Sequence, residues 1–160
     1  MIERIEAERD HEAVRRFVER FALQLTEAGM PRMASRVFAG ILVADDGNRT
    51  AAELAEQLSV SPAAISGAVR YLTQVGLVVR EREPGQRLDH YRVFDDVWFE
   101  TLTRRDDLLA RWEGDLQDGV KALGPSSPAG QRIEETRQFF AFIRAEMPLM
   151  LARWRASRSG

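Results

Sequence analysis

Residues 50 to 92, TAAELAEQLSVSPAAISGAVRYLTQVGLVVREREPGQRLDHYR, show the clearest structural pattern of the chain. Thr50 is followed three positions later by Glu53, the spacing of a capping box, in which each side chain accepts a hydrogen bond from the other residue's backbone amide. The apolar residues that follow at helical spacing are Leu54, Ala55 and Leu58. The pattern predicts a short helix that begins at Thr50 and ends at the Ser-Val-Ser turn of residues 59 to 61.

A second helix is predicted directly after that turn. Ser61 is a favourable N-cap, and Pro62 stands at the first helical position, where its missing N–H is not needed. Gly76 fits the left-handed position that ends many helices. The residues that form the apolar side are Ile65, Ala68, Val69, Leu72 and Val75. Two short helices joined by a tight turn are therefore expected.

The other side of the second helix indicates a function. It carries Ala63, Ser66, Gly67, Arg70 and Gln74. Small side chains near its N-terminus would let the backbone approach a major groove closely, and the polar ones could contact base edges or phosphates. Tyr71 lies at the edge of this side, where its phenol could donate to a phosphate or be partly buried; the sequence leaves both readings open.

A β-hairpin is predicted after Gly76. Leu77 to Val79 is rich in β-branched and aliphatic residues, Pro84-Gly85 is a strong turn signal, and Leu88 to Val93 returns as a second strand. Arg82 and Arg87 then lie at or near the tip, within reach of a minor groove or its phosphates. An isolated hairpin tip is more often a solvated turn, but its position after two such helices favours DNA.

The segment LAEQLSVSPAAISGAVRYLTQVGLVVRE with this hairpin resembles the DNA-binding core of the MarR family of bacterial transcriptional regulators, in its GbsR-like branch. The resemblance covers Pro31 to Val93. It implies a dimer of winged helix-turn-helix lobes, a recognition helix in the major groove, a wing in the minor groove and an inter-lobe ligand pocket. By position, the residues it assigns to the recognition helix are Ser61, Ala63, Ser66, Gly67 and Arg70, and the wing arginine is Arg87. Glycine stands at residue 85, where the family commonly has an acidic residue.

Composition limits the alternatives. The chain has 160 residues, a net charge of −2 and no cysteine, which excludes disulfides, thiolate metal sites and thiol redox sensing. Residues 31 to 94 contain eight arginines and seven acidic residues, so the proposed DNA-binding part is only weakly positive. Such a lobe would depend on a few well-placed arginines rather than on a broad positive field. The acidic Asp45-Asp46-Gly47-Asn48 segment lacks calcium-loop spacing and is interpreted as a turn.

Long amphipathic helices are predicted on both sides of this region. Residues 2 to 28 form one, whose apolar stripe could be core or dimer interface; a second begins near Pro31. A third follows Asp95-Asp96, and residues 124 to 130 interrupt the helical pattern. The last helix is predicted from about Arg132, with a kink or restart at Pro148 and a frayed tail after Trp154.

The expected fold is mainly α, a winged helix-turn-helix with a two-stranded β-wing and long N- and C-terminal dimerisation helices. The expected domains are residues 1 to 29 (N-terminal dimerisation helix), 30 to 94 (DNA-binding domain) and 95 to 160 (C-terminal dimerisation helices). Trp98, Trp112 and Phe140 are the candidate lining of a ligand pocket, although an aromatic stripe at helical spacing is more often core.

The sequence thus predicts a sequence-specific regulator of transcription that binds double-stranded DNA. It would be a homodimeric repressor of a pseudo-palindromic operator, with a small-molecule effector as a further candidate partner. The alternative is a non-catalytic winged module that binds protein, which the weak charge keeps open. No catalytic motif, metal spacing or cofactor motif is found; His11 and His90 are isolated. Without a signal peptide or a long apolar run, the default location is the cytoplasm, with no membrane partner.

Overall fold

The computed structural model describes residues 10–94 and 96–160, with the side chain of Glu100 left aside. Its elements, in chain order, are α1 (His11–Glu27), α2 (Arg32–Leu42), β1 (Asn48–Thr50), α3 (Ala51–Leu58), α4 (Pro62–Gln74), β2 (Val78–Arg82), β3 (Asp89–Val93), α5 (Val97–Leu123) and α6 (Pro128–Arg158). The chain forms two compact units, which divide between Val97 and Trp98. The fold is mostly helical with one small sheet, as expected for a winged helix.

The core of the first unit forms where α2 packs against α1, α3 and α4. Phe38, Ile41, Leu54, Ile65 and Leu72 are completely buried there. Burying side chains of this size stabilises the fold by about 1.5–3 kcal/mol each. The mixture of apolar residues at helical spacing in three consecutive helices therefore defines one shared core.

Helix α1 begins at His11, because the Asp10 carboxylate accepts a hydrogen bond from the Ala13 amide and Asp10 itself is extended. The helix was predicted from residue 2. In the described part of the chain it begins at His11, and residues 2 to 9 lie outside the described residues. Val18 and Ala22 are buried in the core, whereas Phe17 is half-exposed. Most of the apolar stripe is core, and its use in a dimer interface stays a prediction.

The local signals of the helix-turn-helix are confirmed. Thr50 and Glu53 form both hydrogen bonds of the capping box, at 3.2 and 3.0 Å. The Ser61 hydroxyl accepts from the Ala64 amide, and Pro62 occupies the first turn of α4. Gly76 adopts a φ of +79°, which few residues other than glycine adopt without strain, so α4 ends where predicted.

Arg36 fixes the turn between α3 and α4 to the rest of the core. Its guanidinium donates to the Glu19 carboxylate of α1 at 2.7 Å and to the Leu58 carbonyl at the end of α3 at 3.0 Å. The Arg36 side chain is only 18% exposed, so these charge-assisted bonds are partly protected from water. One side chain therefore connects three helices at the point where the chain turns into α4.

The sheet has three strands rather than the predicted two. β3 lies between β2 and the short strand β1, and both pairs are antiparallel. Asn48 pairs with Arg92 and Thr50 with His90. The third strand was missed because three residues are too few to show an alternating pattern, and their pairing joins segments about 40 positions apart. The predicted turn is confirmed for Asp45 to Gly47, where Gly47 has a φ of +63°, but Asn48, which was included in it, is the first residue of β1.

The second unit consists of two long antiparallel helices. Gly119 of α5 lies opposite Ile133 of α6, Trp112 contacts Phe140, and Phe99 lies under the Arg155 guanidinium. Arg144 of α6 forms ion pairs with Asp106 at 3.1 Å and with Glu113. These contacts show that α5 and α6 pack against each other in antiparallel orientation over most of their length.

Helix α6 differs from its prediction at three places. It begins at Pro128 rather than near Arg132, because the Ser127 hydroxyl caps it by accepting from the Gly130 amide at 2.9 Å. It continues through Pro148, so of the two predicted alternatives the restart is wrong and the kink stays a prediction. The tail after Trp154 is also helical, as far as Arg158. Arg155 and Arg158 lie in the last turn, where their positive charges stabilise the helix by interacting with the negative end of its dipole.

Gly130 is a site where a single methyl group should destabilise the second unit. A Cβ atom built there would lie 1.9 Å from the Gly124 carbonyl oxygen, which is backbone and cannot move aside. We expect Gly130→Ala to lower the free energy of unfolding by about 1–3 kcal/mol, the usual range for overpacking. Thermal unfolding followed by circular dichroism measures this. Gly114→Ala is the control, since a Cβ there meets nothing within 4 Å; equal melting temperatures for both variants would contradict the clash.

No helix in the described part of the chain has both the length and the apolar content that crossing a bilayer requires.

Candidate nucleic-acid interface

The predicted recognition side of α4 is exposed along its whole length. Its solvent-facing residues are Ser61, Ala63, Ser66, Gly67, Arg70 and Gln74. Gly67 is open: a Cβ built on it would meet nothing within 4 Å. Arg70 has no hydrogen-bond or ion-pair partner among the residues that the structure describes. Its guanidinium is thus available to an external anion or base edge.

Tyr71 of α4 and its two capping residues, Ser61 and Val75, have mixed roles. The Ser61 hydroxyl already accepts the capping hydrogen bond, which leaves its proton and one lone pair for a partner. The sequence left open whether Tyr71 is partly buried or donates to a phosphate. Its ring is partly buried against the core, and part of its surface stays accessible. Val75 is 40% exposed and does not belong to the buried side where the periodicity placed it.

The wing has two chemically different faces. In the pairing of β2 with β3, Val78 lies opposite Val93, Arg80 opposite Tyr91 and Arg82 opposite Asp89. Because successive strand residues point to opposite faces, these six residues share one face. Val78 is buried in the core at one end of that face, and the charged residues continue it toward the tip. We call it the inner face.

The charged residues of the inner face form one cluster around Asp89. One carboxylate oxygen accepts from Arg82 Nε at 2.9 Å, and the other accepts from Arg80 Nε at 2.8 Å and also from Arg80 Nη2. The hydrogen bonds from Arg82 and from Arg80 lower the pKa of Asp89. The hydrogen bonding of Arg80 to Asp89 raises the pKa of Arg80, so the carboxylate and this guanidinium are both charged at neutral pH.

The outer face carries a separate ion pair. Arg92 Nη2 donates to Glu81 Oε1 at 2.6 Å, and this hydrogen bond lowers the pKa of Glu81. His90 lies on the same face, with its ring nitrogen 3.4 Å from the Gln86 side-chain oxygen. The hairpin therefore holds one arginine with one carboxylate on its outer face and two arginines with one carboxylate on its inner face.

The inner face of the wing lies beside the exposed side of α4. A concave notch lies between them. Its lining comes from the wing residues Arg80 and Tyr91 and from the α4 residues Ser66, Val69, Arg70, Thr73 and Gln74. The structure thus brings together the two groups of residues that the sequence assigned separately to the helix and to the hairpin. Arg70 and Arg80 give this notch its positive charge.

Arg87 is at the exposed tip, beyond the paired part of the hairpin. Gly85 has a φ of +84°, and the Gln86 amide donates to the Glu83 carbonyl at 3.0 Å, which closes the tip turn. Unlike Arg82, Arg87 has no side-chain partner within residues 10–94 and 96–160. Of the two wing arginines predicted, one is therefore held inside the hairpin and one is available to a ligand.

The predicted pocket residues are not brought together. Trp112 and Phe140 meet edge to face, with ring centroids 5.3 Å apart, but Trp98 is fourteen residues from Trp112, or roughly 21 Å along the helix. A different crevice does form within the second unit. It is lined by Phe99, Thr103, Arg104, Asp106, Asp107, Met147, Pro148, Leu151, Ala152 and Arg155. The assignment of Trp98, Trp112 and Phe140 to a ligand stays a prediction.

Within the described residues, no group of three or more histidine or carboxylate side chains lies close enough to hold a metal ion.

Arg80, Asp89 and Tyr91 were not singled out from the sequence. Strand alternation could have placed Arg80 on the same face as Arg82, since they are two residues apart. The contribution of Asp89 depends on the register across the turn. That register follows from the length and conformation of the loop of residues 83 to 88, which sequence patterns determine poorly.

Two protein-family models match the chain, and together they cover most of it. Residues 28–87 match the MarR family, and residues 96–157 match a model described as MmpR5-like MarR family transcriptional regulator. Neither description is that of the GbsR-like branch, which stays a prediction.

Two similar proteins support the same assignment. The HTH-type transcriptional regulator MmpR5 of Mycobacterium tuberculosis is 29% identical over 146 residues, which are 90% of this chain and 87% of that protein. A crystal structure of a transcriptional regulator is 26% identical and superposes with a TM-score of 0.80, covering 90% of this chain and 99% of the other. The similarity therefore includes both compact units.

Proposed function

The chain belongs to the MarR family of transcriptional regulators, and from that premise we propose that it is a homodimeric, sequence-specific repressor of a pseudo-palindromic operator. The observation that carries this proposal is the notch where the open side of α4 meets the arginine-bearing inner face of the wing. A helix with small residues can enter a major groove, while adjacent arginines bind the phosphates that flank it. A dimer that occupies promoter DNA excludes polymerase, hence repression.

The exposed apolar surface of the second unit supports the homodimer. Only Gly130 and Leu151 are buried among its described residues, although it has three tryptophans and four phenylalanines. The large apolar side chains that remain about half-exposed or more are Trp98, Trp112, Leu123, Phe139, Phe142, Leu149, Met150 and Trp154. Apolar patches of this extent are rare on monomers, and a second copy would cover them.

Control by a small-molecule effector and a cytoplasmic location belong to the same proposal. The crevice of the second unit combines apolar side chains such as Phe99 and Met147 with the cation of Arg155. An effector acts only if it binds the DNA-competent and DNA-incompetent arrangements with different affinity. A regulator that binds a bacterial promoter must be in the cytoplasm, because the chromosome is there.

The second candidate function is a winged module that binds protein. The observation in its favour is that two carboxylates, Asp89 and Glu81, hold three of the wing's arginines. The positive field that the wing presents is therefore small, and non-specific attraction to DNA is correspondingly weak.

Fluorescence anisotropy distinguishes the two functions. The full-length protein is titrated into its own upstream intergenic duplex and into a shuffled duplex of equal composition at about 150 mM salt, where non-specific binding is already weak. A specific regulator should bind the native duplex at least about a thousandfold more tightly. Equal, weak binding to both duplexes would contradict the regulator and favour the protein-binding module.

The tip arginine gives a test of the wing itself. Because Arg87 is exposed and has no partner within the described hairpin, Arg87→Ala should remove one phosphate contact without disturbing the fold. We expect the slope of log affinity against log salt to flatten by about one unit and the affinity to fall about fivefold at 150 mM salt. The same titrations at four salt concentrations measure both quantities. An unchanged slope would remove Arg87 from the interface.

A further inference from the structure

The inner face of the wing has an unusual arrangement of charge. Two arginines, Arg80 and Arg82, donate to the two oxygens of one carboxylate, Asp89, whose side chain is only 18% exposed. Both arginine side chains are more than half exposed, at 58% and 57%. The carboxylate is thus covered by guanidinium groups that still face solvent.

The position of this cluster places it at the proposed interface. Arg80 lines the notch together with Arg70, Ser66 and Gln74 of the recognition helix. Arg82 is one strand repeat further toward the tip on the same face. A duplex that occupied the exposed side of α4 would therefore present its phosphates to these two arginines.

We propose that Asp89 is a specificity-determining residue of the DNA interface, which holds Arg80 and Arg82 in position and limits their attraction to DNA of any sequence. This inference rests on the proposed function, because it assigns a role within the same interface. Asp89 is a positioning residue: it acts on DNA through the two arginines.

The charge argument predicts how Asp89 acts on non-specific binding. Two guanidinium groups and one carboxylate have a net charge of +1, so the cluster attracts phosphate as one cation rather than two. Each additional phosphate neutralised steepens the salt dependence by about 0.9 units, which corresponds to about fivefold in affinity at 150 mM salt. Loss of the carboxylate should therefore strengthen binding to a shuffled duplex by about that factor.

The geometric argument predicts how Asp89 acts on specific binding. A carboxylate that accepts from two guanidinium groups restricts the rotamers of both arginines before DNA arrives. Without the Asp89 carboxylate, both arginine side chains must lose rotamer freedom when DNA binds. In the specific complex, which requires one arrangement of these side chains, this entropy cost offsets part of the electrostatic gain. The native duplex should gain less than the shuffled duplex, and the ratio of the two affinities should fall about two- to fivefold.

The test compares Asp89→Asn with Glu81→Gln in the full-length protein. Both variants remove one negative charge from the same hairpin, but Asp89→Asn frees Arg80 and Arg82 on the inner face, whereas Glu81→Gln frees Arg92 on the outer face. Anisotropy titrations with the native and the shuffled duplex at several salt concentrations give affinity, slope and ratio. We expect Asp89→Asn to steepen the slope by about one unit and lower the ratio, and Glu81→Gln to leave both close to wild type.

Each outcome is decisive. If Asp89→Asn behaves like Glu81→Gln, only overall charge or hairpin stability matters and the proposal is wrong. If the wild-type protein itself does not distinguish the two duplexes, the proposed function fails instead, which is a separate result of the same experiment. If Asp89→Asn does not fold, Arg82→Gln replaces it, with Arg92→Gln as its outer-face control. The slope should then flatten by about one unit for Arg82→Gln alone, and equal slopes for both would overturn the proposal.

Discussion

Gly67→Gln is expected to weaken binding to the native duplex by about 100-fold or more while the protein stays folded. Gly67 lies on the open side of α4, and a Cβ there meets nothing within 4 Å. Replacing a helical glycine with a better helix former should even stabilise the free protein, by about 0.5–1 kcal/mol. In the complex, however, the longer side chain would hold the helix away from the groove floor, where each good base contact contributes about 1–3 kcal/mol.

Gly114→Gln is the matched control for that prediction. Gly114 is also an exposed helical glycine whose Cβ would be unhindered, but it lies in α5. Its DNA affinity should stay within about twofold of wild type, and both variants should melt at or above the wild-type temperature. If Gly67→Gln binds the native duplex as well as Gly114→Gln does, α4 does not approach DNA by this side.

Phe139→Glu is expected to raise the dissociation constant of the proposed dimer by about 100-fold or more. Phe139 is 59% exposed and lies next to Phe140, with ring centroids 5.6 Å apart, on the apolar surface of α6. Burying such a side chain contributes about 1.5–3 kcal/mol. A two-fold dimer contains the position twice, so the variant should lose at least about 3 kcal/mol of association free energy. This corresponds to an increase of about 100-fold in the dissociation constant.

Sedimentation equilibrium over a range of protein concentrations measures the effect. Gly114→Glu introduces the same charge in the same unit, but two residues after Trp112 it faces about 160° away from that exposed side chain, and a Cβ there meets nothing within 4 Å. We expect this control to dissociate like wild type. A Phe139→Glu protein that remains as dimeric as the control would show that this surface is covered by something other than a second copy.

The pattern of correct and incorrect predictions has a physical cause. The capping box at Thr50, the Ser61-Pro62 start of α4 and the glycine that ends it were all predicted, because each depends on hydrogen bonds or backbone angles within four residues. The start of α6 at Pro128 had the same serine-proline signal. It was overlooked because two glycines in the surrounding stretch suggested a longer loop, whereas Gly130 is required by the close approach of the Gly124 carbonyl.

Interactions between distant segments were not predictable in the same way. The strand at Asn48–Thr50 exists because β3 offers it an unpaired edge, and Arg36 joins three helices that the sequence shows only one at a time. The charge balance of the wing likewise depends on a register across a six-residue loop. These features depend on tertiary contacts and on strand register, which local residue patterns do not specify.

The helix-turn-helix and the basic hairpin after it could be predicted from the residues alone, since caps, turns and apolar periodicity are local properties that residue types encode directly. The folded chain, in contrast, establishes which arginines are available to a ligand. It pairs Arg80 and Arg82 with Asp89 and leaves Arg70 and Arg87 without a partner in the described chain. The reason is that a charge acts according to its neighbours in space, and folding places those neighbours from different strands and helices.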